Sequence, residues 1–288
     1  MRRTIAGFIG PAFLFLFSIS IFPLIYSLVL SFYYYYPTKP YLGIRFAGLG
    51  NFIHIFSDPQ FFGSLKNSFV YIIPALTAEF LLGLGIAVLL TSFKIRGLGV
   101  IQTLLLIPMM ISPAITGVIW RLIYFPGMSP INFFIQAVFG VHGPNWTSDP
   151  STAMASIIIV DIWQWTPFMI LCFVAGIRAL PEEVFDAAKV EGATLWHQVR
   201  HMIVPMTMPV ILVALLIRFI DMFKMFDYLY ILTKGGPGVA TDTLTYFTYR
   251  MGFTLWDVGY ASASSWILLI ITIVMCNVMI RVMYRGMV

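Results

Sequence analysis

Charge is scarce in this sequence: Asp, Glu, Lys and Arg make up 10% of its 288 residues, where a soluble domain carries about a quarter. Cysteine is scarcer. Cys172 and Cys276 are its two cysteines and both fall inside apolar runs, which excludes a disulfide framework and leaves each a small hydrophobe. No Gly-Lys dipeptide occurs anywhere, so a phosphate-binding loop of the form GxxxxGK[ST] is excluded, and any nucleotide chemistry has to come from another polypeptide. The four histidines, His54, His142, His197 and His201, are scattered, and no grouping has metal-ligand spacing. Neither a catalytic residue nor a metal site is expected. The net charge of +5 is spread between apolar runs rather than gathered into a patch, so a nucleic-acid partner is not expected either.

What the chain has is hydrophobic length. Sixty per cent of it is hydrophobic, in runs long enough to cross a hydrocarbon core of about 30 Å. There every backbone N–H and C=O must be bonded within the protein, so the runs are expected as helices, with membrane lipid as their surroundings. The expectation is an all-α integral membrane protein of about six transmembrane helices, forming one transmembrane domain over 1–288. The spans fall near 5–32, 67–93, 100–125, 151–177, 203–232 and 259–283. The first follows Arg2 and Arg3 but is too long for a cleaved signal, so it is expected to be retained, and it ends in the interfacial cluster Tyr33 to Tyr36. The third is interrupted by Pro108 and Pro113. Segments 33–66, 127–150 and 233–258 are punctuated by Pro and Gly and read as external loops.

Orientation follows from the basic residues. One set of loops holds Arg2, Arg3, Lys94, Arg96, Arg178, Lys189, Arg200, Arg281 and Arg285; the other holds Lys39, Arg45, Lys66, Lys234 and Arg250 over more residues. The first set is cytoplasmic, with both termini inside, as an even number of spans requires.

The most charged segment, within 178–205, is cytoplasmic on this reading. Pro181 suits a first helical turn and Glu182 and Glu183 suit the positive end of a helix dipole, so a short helix is expected from Glu182 to Glu191. Gly192 then turns the chain where a side chain would clash, and Ala193 or Thr194 begins a second short helix carrying Trp196, His197, Arg200 and His201 toward Pro205. Ala187 and Ala188 give the first helix a side that another surface can approach closely.

Asp186-Ala187-Ala188, Gly192 and the run Met202 to Pro205 resemble the EAA loop in permease subunits of bacterial binding-protein-dependent ABC importers. Gly176 to Glu183, the segment Phe226 to Pro237 with Thr241, Asn51-Phe52, Asn67-Ser68, Leu106-Ile107-Pro108 and Gly259 to Ala263 fit the same family over nearly the whole chain. They point to its carbohydrate-uptake branch, which includes the maltose and glycerol-phosphate permeases. Three positions depart mildly: Asp186 for the family's Glu, Glu191 for its Asp and Val204 for its Leu. The resemblance implies a type I importer permease in the inner (plasma) membrane of a bacterium. It also implies a homologous second permease, two ATPase subunits that bind ATP and Mg, and an extracytoplasmic solute-binding protein. By the same resemblance Glu183, Asp186, Ala187, Ala188, Glu191, Gly192 and Pro205 form the ATPase-coupling surface.

Ionisable groups inside spans are candidates for function. In the fifth span Arg218, Asp221, Lys224 and Asp227 recur every three residues, so they either neutralise one another along the helix or face a hydrated cavity where Asp221 and Asp227 accept hydrogen bonds from sugar hydroxyls. In the fourth, Asp161, Trp163, Gln164 and Trp165 offer indole faces for a sugar ring and polar groups for its hydroxyls. Trp163 and Trp165 are two apart and cannot both face one cavity, so one of them is expected to touch substrate. Glu79 is expected to make a buried bond between helices. An ion-driven transporter would want internal repeats, which are not visible here, and a membrane scaffold would leave the Asp186 loop unexplained.

Overall fold

The computed structural model describes residues 10–11, 13–93 and 96–285, apart from the side chains at 284 and 285. Arg2, Arg3, Lys94, the side chain of Arg285 and the first residues of the 5–32 run lie outside the described residues. The chain divides into two compact units, 1–63 with 244–271 and 64–243 with 272–288.

In the first unit, α1 (Phe13–Ser31) is a membrane-length helix with a π turn at Phe17–Ile21. Its apolar side chains point outward, as lipid permits and water would not. The 33–66 loop is more ordered than its punctuation suggests. Strands β1 (Tyr33–Tyr34) and β2 (Arg45–Phe46) pair antiparallel with Tyr33 opposite Phe46, and α2 (Gly50–Phe56) follows. Buried Asn51 donates to the carbonyls of Ser31 at 2.9 Å and Tyr33 at 3.0 Å, satisfying backbone acceptors where α1 ends.

Two membrane-length helices begin at caps rather than where hydropathy rises. In α3 (Pro59–Ser92) the Asp58 carboxylate accepts from Gln60 N–H and proline occupies the first helical position, so the helix starts eight residues before the expected 67. The same device, Asp149 before Pro150, starts α7 (Pro150–Arg178), close to expectation.

The third span is broken. Helices α4 (Leu98–Met110) and α5 (Pro113–Ile123) meet at 93°. Ser112 precedes a proline and is extended, and Pro113 has no N–H with which to continue α4. With this pair counted once, the described residues hold up to six spans. The stretch 127–150 contains α6 (Pro130–Phe139), capped by Ser129 and ended by Gly140 in the left-handed conformation.

The coupling segment forms α8 (Glu182–Val190). The fifth membrane helix, α9 (195–223), starts at Thr194, whose hydroxyl caps it, and crosses a π turn at Val199–Ile203. It stops at Phe223, and the short α10 (Asp227–Leu232) follows after a three-residue break. The 233–258 segment holds α11 (Leu244–Tyr249), and α12 (Val258–Arg285) closes the chain.

In the second unit α3, α7 and α9 share a core of Ala87, Met169, Phe173, Ile177, Ile203 and Ala214. In lipid no hydrophobic drive separates helix from solvent, so close packing has to hold them. Gly83 permits it, because a Cβ there would lie 2.5 Å from that of Met169.

Candidate functional site

The centre of the second unit is ionic. Arg218 on α9 donates from Nε and Nη2 to the two oxygens of Glu79 on α3, each at 2.8 Å, and from Nη2 to Asp161 on α7 at 3.0 Å. All three are at most 2% exposed. A buried guanidinium is tolerated here because the carboxylates supply both opposite charge and fork-matched acceptors. The Tyr228 hydroxyl on α10 donates to the second Asp161 oxygen. Tyr71 lies 3.0 Å from that hydroxyl, whose proton is committed, so Tyr71 is the donor between them. The guanidinium lies 4.8 Å from the centre of the Trp165 ring. Asp161 is 11 residues from the outer end of its helix, a depth of about 17 Å, so the cluster sits deep in the span.

This network forms the wall of a cavity of about 230 Å³, lined by Tyr71, Asp161, Trp165, Arg218, Asp221 and Asp227 among others. Asp161, Trp165, Asp221 and Asp227, four of the proposed binding residues, therefore come together. Trp163 does not: it packs edge-on against Trp120 at 5.6 Å. Gln164 is buried and donates to the Ile111 carbonyl at 2.8 Å, bridging to the break between α4 and α5. Of the two indoles, Trp165 is the one at the cavity.

The self-neutralising ladder along the fifth span does not form as expected. Arg218 is drawn sideways to α3 and α7, and the break at 224–226 interrupts the helical register before Asp227. What remains is a loose pair, Lys224 to Asp221 at 3.9 Å, partly exposed. Glu79 does bond between helices, as an ion pair. Tyr71 and Tyr228 were not legible as site residues, since aromatic residues in a span carry no distinguishing signal.

At the cytoplasmic end, α8 turns Phe185 toward the core cluster and leaves Glu183, Asp186, Ala187, Glu191 and Gly192 exposed and Ala188 half-buried. Asp186 pairs with Lys189 at 2.9 Å, well exposed to solvent. Val190 and Trp196 are 89% and 71% exposed, large apolar surfaces beside one another in sequence with nothing over them in this chain. The helix ends in a Schellman motif: Gly192 N–H donates to Lys189 O at 3.1 Å and Ala193 N–H to Ala188 O at 2.9 Å. Gly192 adopts φ +71°, and a Cβ there would meet nothing within 4 Å. Glycine is required by backbone conformation, then, and not by the clash anticipated from sequence. Pro205 lies exposed in the first turn after the π segment.

A multi-spanning helical subunit with a polar cavity deep in the membrane and an exposed docking helix on its cytoplasmic side is the construction of a transporter's membrane component. Residues 124–286 match the family described as binding-protein-dependent transport system inner membrane component, and the chain belongs to that family. It is 32% identical over 283 residues, 98% of this chain and 91% of the relative, to a probable ABC transporter permease of Sinorhizobium fredii, y4oQ. To the trehalose/maltose transport system permease MalF of Thermococcus litoralis it is 33% identical over 80% of this chain and 75% of that one. It shares the fold, with a TM-score of 0.84 at 19% identity over 98% of this chain and 95% of the other, of a bacterial ABC transporter involved in the import of the acidic polysaccharide alginate. The chain is thus a multi-pass inner-membrane permease with a type I importer fold, a transport subunit and not an ATPase.

Proposed function

We propose that this permease carries a carbohydrate or carbohydrate-like solute into the cytoplasm by alternating access, and that the cavity beside Trp165 is its part of the transport site. The observation that carries the reading is the juxtaposition of one indole with Asp161, Asp221 and Asp227 around a single cavity deep in the membrane. An aromatic face suits the C–H face of a sugar ring, and carboxylates accept from its hydroxyls. The similarity to a trehalose/maltose permease supports the same class of cargo.

The working assembly on this reading holds a second homologous permease, two ATPase subunits carrying ATP and Mg, and an extracytoplasmic solute-binding protein. Helix α8 seats in the ATPase through Glu183, Asp186, Ala187, Ala188, Glu191 and Gly192, with Pro205 setting the return into the membrane. ATP-driven closure of the ATPases then pulls α8, and the different affinities of ATP and of the loaded binding protein for the two states drive the cycle.

The test is uptake of labelled sugars into vesicles reconstituted with every subunit. Accumulation that needs ATP, and that disappears when Trp196 and Val190 are both changed to Glu, is the expected result. Uptake driven by an ion gradient without ATP would overturn the coupling, and ATP-dependent uptake of amino acids alone would overturn the cargo.

A further inference from the structure

We propose that this cavity rejects anions, so that the cargo is an uncharged or cationic saccharide and phosphorylated sugars and uronates are excluded; this rests on reading the cavity as the transport site. Four carboxylates, Glu79, Asp161, Asp221 and Asp227, stand at or directly behind the wall against two cations, Arg218 and Lys224. The excess is negative.

Arg218 is the group an anionic substrate would seek, and it is already engaged. Its Nε and Nη2 are held by Glu79 and Asp161, and its planar face lies on Trp165. The ionic cluster around it carries two acids for one base, so an arriving phosphate meets a site that is already over-neutralised. Lys224, the other cation, lies 3.9 Å from Asp221. Asp227 is exposed and has no ionic partner among the described residues. A dianion placed against this wall would sit near Asp221 and Asp227 in a setting where water screens poorly, and like charges so placed are strongly discriminated against. A neutral sugar loses nothing there, because its hydroxyls donate to the same carboxylates. The wall differs in this respect from what an importer of an acidic polysaccharide requires, although the fold is shared with one.

The experiment uses the complete importer in vesicles with ATP on the ATPase side and two sets of labelled probes. Maltose, trehalose and lactose are the neutral set; glycerol 3-phosphate, trehalose 6-phosphate and an unsaturated diuronate are the anionic set. At least one neutral probe is expected to accumulate, with every anionic probe slower by about a hundredfold. An anionic probe accumulating as fast as the best neutral one overturns the exclusion while leaving carbohydrate transport intact. If no probe of either set accumulates, the carbohydrate reading fails and the exclusion falls with it.

Because the binding protein also selects, the wall is tested directly with the double variant Asp221→Asn, Asp227→Asn. Its ratio of anionic to neutral uptake should rise at least about tenfold; an unchanged ratio overturns the assignment to these residues. If the variant fails to assemble, the parent complex without binding protein supplies the readout. Trehalose should quench a tryptophan signal that Trp165→Phe removes, and trehalose 6-phosphate should not. Equal quenching by both overturns the proposal.

Discussion

Arg218 carries one positive charge into the membrane interior and is held there by carboxylates 139 and 57 positions earlier in the chain. Replacing it with Met strands Glu79 and Asp161 as unpaired buried acids, so Arg218→Met is expected to destabilise by about 3–5 kcal/mol. Thermal unfolding in detergent checks this, and the variant Glu79→Gln with Arg218→Met and Asp161→Asn should recover part of the loss. Outside the membrane, burial pushes the Asp257 carboxyl up, while the Tyr260 N–H and the Tyr36 hydroxyl bond it. Its folded form therefore holds the proton more tightly than the unfolded chain does. That contribution to stability is complete below the unfolded value of about 3.9 and is lost as pH rises through the raised folded value. Asp257→Asn should accordingly show a smaller fall in unfolding midpoint than the parent between about pH 4 and pH 7. That Asp161 and Arg218 are special could be read from sequence, because ions inside spans are rare. Their pairing could not. Spacing reports neighbours on one helix, and the bond that wins runs between helices.

At the scale of elements, α8 and its Gly192 stop make the sharpest case. Its start, its acidic first turn, its end and the cap of the next helix at Thr194 all follow from local chemistry, so they were legible without any knowledge of packing. The reason for the glycine was not, since φ is invisible in a sequence. Gly192→Val places a β-branched side chain at φ +71°, where a left-handed residue costs about 1–2 kcal/mol before branching is considered. The end of α8 should unwind in that variant, with ATPase subunits lost from a pull-down and the permease still in the membrane. A normal yield of ATPase in the pull-down would tell against α8 as the docking helix. Span ends were legible to within a turn where hydropathy and caps coincide, as at Pro150. They were missed where a cap lies beyond the apolar run, as at Asp58. The prolines at 108 and 113 announced a break, but its angle of 93° comes from tertiary packing, in which Gln164 holds the Ile111 carbonyl.

For the molecule as a whole, a membrane architecture of about six helices and an exposed cytoplasmic helix was readable from hydropathy, charge asymmetry and the Asp186 segment. Which helices meet around the cavity was not, because polar side chains in lipid find partners by geometry. The Arg218 clamp has a bearing on motion. By joining α3, α7 and α9 at one point it resists any change in their mutual spacing. Spin labels at Leu89 on α3 and Leu171 on α7, both exposed, should keep their separation to within about 2 Å between ATP-free and ATP-bound states of the full importer. A larger change would show the clamp opening during the cycle. If it stays shut, the three helices work like the rim, spokes and hub of one wheel. A push delivered at the cytoplasmic rim then reaches the cargo chamber at once, because nothing between them is free to bend.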